Sequence, residues 1–410
     1  MTQQRFAELI RHCGPIVPEG MGRTLLGLSP SAQPPLFDHA LLDTALSACH
    51  VPQDKTELLR GALHTIEQDP LLLELTHAMA TDCHRAHNRA VGCEFSSAPA
   101  PACLKGFAQE AYAFLFGLAC MEEGRRQLRE RGVPEQCDAD IPERMIRKQL
   151  RKFTETGSIA FDDFPWDIGF YACSIFFIDR FYFIPYLHSQ PEAWRNAETG
   201  EVIALWPAGE RIRLDGQLDG VNGIADPAAI TTIYEETGAH VTAHPVDPQG
   251  LVRLAPITLE KARWQRVLGD GDYLLALHIP GGEGYTPERV RSSCEKALAF
   301  YDRYFPELPV KGFWSESWLY DPGLAAVLKP DSRILQVQRQ FYCYPTPEGE
   351  EMVKYEVFGT DAIDPATVPC KTSLQKNLCA AWLAGAHFHT TGMFLLREDV
   401  PQVGSAPYRK

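Results

Sequence analysis

Basic residues are in the minority: 39 Lys plus Arg stand against 53 Asp plus Glu, a net charge of −14, which leaves no broad cationic surface for nucleic acid or an anionic membrane. Long apolar runs are missing as well. The longest uncharged apolar stretch, Tyr112 to Met121, falls well short of the roughly 18 to 20 residues that a membrane-crossing helix needs. The opening MTQQRFAELIRHCG carries Arg5, Glu8 and Arg11 where a secretory signal requires an unbroken apolar segment, so the expectation is a cytoplasmic chain. Paired cysteines are absent: the 12 thiols lie singly between Cys13 and Cys379 with no C-x-x-C, the pattern of reduced, mostly buried side chains without bridges. What remains is an ordinary globular composition, 45% hydrophobic and 22% charged over 410 residues, enough chain for two or three domains and too apolar for wholesale disorder.

Residues 1–155 carry the pattern of a helical domain. In DKTELLRGALHTIEQ, Leu59, Leu63 and Ile66 recur at i, i+4 and i+7, and Leu41, Leu42, Ala45 and Leu46 follow Asp38 as an N-cap. Asp69 and Pro70 open another helix, and a longer one runs from about Ala102 to Gly132. The breaks SPSAQPP and SSAPAPA are too short for flexible linkers. The stretch RRQLRER, with Glu122, Glu123 and Glu130 nearby, is expected to be a solvated helix face.

From residue 156 to 410 a mixed α/β domain is expected, making the fold class α+β. YACSIFFIDRFYFIPYL is rich in aromatic and β-branched residues and is expected to form central strands, broken by Asp179 and Arg180. A bend at Asp179 would leave that charged pair in solvent, whereas a buried Arg180 would demand a partner. Residues 187–256, with the strands EVIALW and ERIRLDG, look like an insertion. Beyond them, ITLEKARWQRVLGDG is expected as a short helix, DYLLALHIP as a strand, TPERVRSSCEKALAFYDRYF as a helix and KGFWSESWLY as a strand. DPGLAAVL then gives a short helix, SRILQVQRQFYCY and MVKYEVFG an antiparallel strand pair, SLQKNLCAAWLAG a helix and HFHTTGMFLL a last strand.

The most informative junction lies between Tyr273 and Phe305. Gly281, Gly282 and Gly284 permit backbone conformations that gather N–H groups, and the helix after Thr286 and Pro287 begins with unsatisfied donors and a positive dipole end. Such a junction binds phosphate or pyrophosphate without a basic side chain; a plain turn capped by Thr286 has the same spacing. Neither G-x-x-x-x-G-K-[ST] nor G-x-G-x-x-G is present here.

HIPGGEGYTPERVRSSCEKALAFYDRYFPE, SESWLYDPGLAAVLKPDSRILQVQRQF and SLQKNLCAAWLAGAHFHTTGMFLL, spanning about residues 257 to 396, together resemble the bacterial acyltransferase-domain proteins that join a helical N-terminal domain to a GNAT-like C-terminal domain. The resemblance implies a fold in which two splayed strands admit the pantetheine arm of an acyl-CoA cosubstrate and the following loop holds its pyrophosphate. Tyr273 to Ile279 stand in the place of the fourth strand and Lys311 to Trp318 in that of the fifth. Ile279, Gly281, Gly282, Gly284 and Tyr285 would then be the cofactor-binding residues. The loop departs from the usual Q/R-x-x-G-x-G/A in having no leading Gln or Arg.

The implied activity is acyl-CoA-dependent N-acyl transfer to an amine, either a small molecule or a peptide, with no nucleic-acid or membrane partner and no resident metal. Such chemistry needs a base for the incoming ammonium, an oxyanion donor and an acid for the departing thiolate. The candidates are His278, which closes the strand before the loop, Glu316 on the next strand, and Tyr320 just after it. Ser315 and Ser317 share the face opposite Glu316, so the face that meets the cleft decides which of them is functional. A second reading is a non-catalytic binding module whose loop has lost CoA. A third is a metal-dependent hydrolase built on His387 and His389. Cys83, His84, His87 and Cys93 lie close in sequence, but on a helix they do not converge on one ion.

Overall fold

Leu59, Leu63 and Ile66, which set the helical period in the sequence, are all buried along one helix of the first of two units. The computed structural model describes residues 1–26, 37–88, 90, 95–135 and 140–409. One unit comprises residues 1–177 and 183–185, the other 178–182 and 186–410. The first contains α1 (Gln3–Cys13), α2 (Glu19–Leu25), α3 (His39–Ala48), α4 (Gln53–Glu67), α5 (Pro70–Asn88), α6 (Phe107–Glu130), α7 (Asp140–Thr156) and α8 (Phe164–Tyr171). Asp38 caps α3 by accepting the Leu41 N–H at 3.0 Å, and Asp69 caps α5 through the N–H groups of Leu71 and Leu72.

The apolar run Tyr112 to Met121 is buried on every side of α6, the mark of a helix enclosed by others. Two glycines let neighbouring chain approach it. A Cβ at Gly117 would stand 2.9 Å from the Tyr171 ring, and one at Gly124 would stand 2.6 Å from the Ala172 carbonyl oxygen. RRQLRER is the expected charged face, with Arg126 paired to Glu123 and Glu130. Cys83 and His84 are buried, and His84 Nδ1 lies 2.7 Å from the Ala172 carbonyl oxygen. Cys93, the His87 side chain and SPSAQPP lie outside the described residues. Among the described residues no helix is long and apolar enough to cross a membrane.

A left-handed turn at Asp179 splits the aromatic run into β1 (Phe176–Ile178) and β2 (Phe181–Leu187), which lie at one edge of the main sheet and not at its centre. The next strands are β3 (Glu192–Asn196), β4 (Val202–Leu205), β5 (Arg211–Ile212), β6 (Ile230–Thr231), β7 (Tyr234–Glu236), β8 (His240–Ala243), β9 (Pro245–Asp247) and β10 (Leu251–Val252). The expected helix ITLEKARWQRVLGDG is instead two more strands, β11 (Ile257–Glu260) and β12 (Trp264–Leu268). They pair with β8 and β3, and Leu259 joins Trp194, Leu205, Val241 and Ala243 in a small core, so long-range pairing overrides the local helical spacing.

The rest of the second unit runs β13 (Tyr273–His278), α9 (Pro287–Tyr304), β14 (Gly312–Ser317), α10 (Leu324–Val327), α11 (Arg333–Gln338), β15 (Tyr342–Pro345), α12 (Glu351–Phe358), α13 (Ser373–Leu383) and β16 (Thr391–Leu396). The main sheet continues from β2 through β13, β14 and β16 to β15. Two expected strands are helices. SRILQVQ is α11, started by Ser332, whose Oγ accepts the Leu335 N–H, and MVKYEVF is α12, stopped by Gly359 at φ 82°. Both turn apolar residues into a core of Leu324, Val327, Leu335, Val353, Leu378 and Phe388. In HFHTTGMFLL the strand begins only at Thr391.

Candidate active site

The site is framed by strands that part. Parallel pairing of β13 and β14 begins with the Lys311 N–H donating to the Tyr273 carbonyl at 2.8 Å and registers Leu275 with Phe313 and Ala276 with Trp314. There it stops. On its other side β14 stays registered with β16 over its whole length, from Gly312 against Leu396 to Ser317 against Thr391. Leu277 and His278 on one strand, and Ser315, Glu316 and Ser317 on the other, therefore lie where this pairing has ended.

Directly after β13 comes the Gly-rich loop. Gly282 and Gly284 have φ of 105° and 93°, a region that other residues enter only with strain. The N–H groups of residues 281–285 have no acceptor among the described residues. Thr286 accepts the Arg289 N–H and Pro287 takes the first turn of α9, so the loop leads straight into an 18-residue helix whose N-terminal dipole end adds to these donors. Ile279 and Tyr285 flank the loop, Ile279 half-buried and Tyr285 deep enough that burial drives its phenol far above its ordinary pKa.

The two faces of β14 differ in character. On one, Trp314 and Glu316 look outward: Tyr186 stacks on Trp314 at 4.0 Å between ring centres, and the Trp314 Nε1–H donates to the Tyr344 hydroxyl at 2.6 Å. Glu316 is reachable by solvent yet ringed by protein, and loss of hydration, with Glu348 second, raises its pKa above the ordinary 4.5. Among the described residues nothing hydrogen-bonds its carboxylate. On the other face Ser315 and Ser317 are buried, and Tyr320, in the short 3₁₀ turn after the strand, is fully enclosed. The Tyr320 hydroxyl stands against those of Ser315 and Tyr285, but neither phenol oxygen makes a hydrogen bond of normal geometry. Burial keeps Tyr320 protonated far beyond neutral pH.

His278 closes β13 at the rim of the gap, and burial lowers its pKa to about 4, so at pH 7 it is a neutral imidazole. The structure thus brings His278, Glu316 and the glycine loop to the place where the β13–β14 pairing ends, with the Tyr320 and Tyr285 hydroxyls close to each other. Sequence reasoning missed Tyr186, Trp314 and Tyr344, which wall the open face, and Arg180, which ties the loop down. Arg180 Nε donates to the Glu283 carbonyl and Nη2 to those of Pro280 and Gly282. The bend at Asp179 does not release its pair into solvent. Asp179 accepts from Arg289 at 2.9 Å and Ser293 at 3.3 Å and pairs with Lys296, which bolts the turn to α9.

His387 and His389 do not assemble a metal site. His387 lies 3.7 Å from Glu350, whereas the buried His389 lies beside Asp321, which also accepts the His389 backbone N–H. Among the described residues, three metal-capable side chains meet only at His12, Asp69 and Cys103. There Asp69 already caps α5 with one oxygen and pairs with His12 at 2.6 Å through the other.

Residues 40–173 match the N-acyltransferase N-terminal domain and residues 213–395 match the GNAT-like C-terminal domain. The chain belongs to this two-domain N-acyltransferase family. Three solved structures share the fold over nearly the whole length. An acyltransferase mutant in complex with octanoyl-CoA is 20% identical with TM-score 0.53, covering 96% of this chain and 99% of its own. An acyltransferase in complex with decanoyl-CoA is 18% identical with TM-score 0.54 at the same coverage. An acyltransferase in complex with decanoyl-CoA and teicoplanin is 20% identical with TM-score 0.53, covering 97% and 99%. At this identity the likeness establishes the fold. No curated protein matches the sequence.

Proposed function

We propose that this GNAT-like protein transfers an acyl group from acyl-CoA to an amine. The observation that carries the reading is the early end of the β13–β14 ladder, where the two strands part just before the Gly-rich loop. A pantetheine arm, itself extended and bearing two amides, fits such an opening as an added strand would. The donors of residues 281–285 and the N-terminus of α9 then meet the pyrophosphate. Structural neighbours crystallised with octanoyl-CoA and decanoyl-CoA support acyl-CoA as cosubstrate, and one that holds teicoplanin supports an amine-bearing small molecule or peptide as acceptor.

Threaded through the sheet, the thioester is flanked by its two faces. The amine approaches from the open side, where Glu316 takes a proton from the ammonium. The freed nitrogen lone pair attacks the thioester carbon and the carbonyl electrons move to oxygen; the nitrogen sheds its second proton to water, the carbonyl re-forms as the C–S bond breaks, the thiolate takes a proton from Tyr320 on the closed side, and the phenol is reprotonated from solvent as products leave. With its low pKa His278 is a poor base, and its part is that of a neutral hydrogen-bonding group at the rim. The reaction belongs in the cytoplasm, where acyl-CoA is held and the described cysteines stay as free thiols.

The test is chromatographic detection of free CoA released from octanoyl-CoA across a panel of amines. Release that requires an acceptor and disappears in Glu316→Gln supports the enzyme. A protein that binds octanoyl-CoA but never releases CoA with any amine belongs to the binding-module reading.

A further inference from the structure

The Gly-rich loop has no leading Gln or Arg of its own, yet a guanidinium reaches it from more than a hundred residues upstream. Arg180 Nε donates to the Glu283 carbonyl at 2.8 Å, while Nη2 donates to the Pro280 carbonyl at 2.8 Å and the Gly282 carbonyl at 3.2 Å. In a trans peptide the C=O of one residue and the N–H of the next point in opposite directions. With the carbonyls of residues 280, 282 and 283 turned toward Arg180, the N–H groups of Gly281, Glu283 and Gly284 are turned away from it. Those are donors that find no acceptor among the described residues. The cation also draws the negative ends of these peptide dipoles toward itself, leaving their positive ends outward.

We infer that Arg180 is the positioning residue of the pyrophosphate site, holding the loop from beneath so that its N–H groups face the cosubstrate's phosphates. The hairpin turn carrying it is fixed for this purpose. Asp179 has a left-handed φ of 61° and its carboxylate is held by Arg289, Ser293 and Lys296 of α9, so the turn, the loop and the helix are braced together. A Cβ at Gly284 would stand 3.5 Å from Arg180 Nε, so loop and guanidinium are in van der Waals contact. A loop with no leading Gln or Arg of its own is here held through space by a residue on the neighbouring hairpin.

This inference rests on the acyl-CoA reading, and the two fail differently. Calorimetric titrations of wild type, R180Q and R180K with CoA and with acetyl-pantetheine, which keeps the thioester arm but lacks the pyrophosphate, separate them. R180Q is expected to lose about tenfold or more in CoA affinity, as the loss of charge-assisted hydrogen bonds implies, and to keep its acetyl-pantetheine affinity. R180K, which keeps the charge but spans fewer carbonyls, is expected to fall between. Equal losses for both ligands, or unchanged CoA affinity in R180Q, would overturn the role of Arg180. A wild type that binds neither ligand would overturn the acyl-CoA reading itself. In the unsubstituted protein, CoA is expected to slow amide exchange at Gly281, Glu283 and Gly284 while acetyl-pantetheine does not. Exchange unaffected by bound CoA contradicts the inference however the variants fold.

Discussion

Successive residues of β14 face two different environments. Glu316 stands among Tyr186, Trp314 and Tyr344 on a face that water reaches, while Ser315 and Ser317, with Tyr320 behind them, are sealed on the other. Both environments raise the pKa by removing water, but with different chemical results. A carboxyl raised above its ordinary value becomes a stronger proton acceptor, whereas a phenol raised by burial keeps its proton as a donor. In the proposed reaction, the strand and the turn after it thereby put a base on one side of the gap and an acid on the other. The geometry suits a cosubstrate that passes through the sheet and not one that lies on it.

The contrast breaks most sharply at Glu316. In Glu316→Gln, turnover is expected to fall by about 10²-fold or more while acyl-CoA affinity holds, because the base is lost without changing the gap. The pH profile sharpens the point. A base works only as the carboxylate, so wild-type activity should decline as pH falls through a value above 4.5, and that acid limb should be missing from the residual activity of the variant.

On the sealed face, Tyr320→Phe is expected to lower turnover by about 10²-fold with acyl-CoA affinity unchanged. Its melting temperature should stay the same or rise, since the hydroxyl removed is buried without a normal hydrogen bond. A sharp fall in melting temperature would show instead that the hydroxyl is structural. Gly392→Ala acts on the open face alone. Its new methyl would press into the Tyr344 ring, whose hydroxyl accepts from Trp314, so a loss of about 1–3 kcal/mol in chemical denaturation is expected together with weaker acceptor binding. The smallest effect is expected at Glu283, an exposed carboxylate in the phosphate-facing loop. Glu283→Gln should tighten CoA about twofold by calorimetry, and less at high salt, as relief of a screened repulsion requires.

Local signals carried much of this architecture into the sequence. Caps at Asp38, Asp69 and Thr286, the period of α4, and the order of strand, glycines and helix from β13 to α9 are all written within a few residues of where they act. What the sequence hid depends on partners far away. β11 and β12 are strands because β8 and β3 pair with them, and the segment ITLEKARWQRVLGDG says nothing of that. The helices α11 and α12 sat in segments rich in β-branched and aromatic residues, and only their burial against α10 and α13 settles their form. In the site, Glu316 and the glycines were legible because strand alternation and the turn mark them. Arg180 was seen as a charge that breaks an apolar run and, if buried, demands a partner, but its three acceptors lie about a hundred residues on. Tyr186 and Tyr344 were invisible for the same reason, each reaching Trp314 from a different part of the chain.

The claim on which everything else depends is that the gap beside β14 takes an acyl-CoA. Calorimetric titration of the wild-type protein with octanoyl-CoA tests it most directly. The account predicts saturable binding of one ligand per chain, weakened when Gly282 is replaced by a bulky residue that cannot hold its φ of 105°. Heats no greater than dilution, or binding indifferent to that replacement, would contradict it.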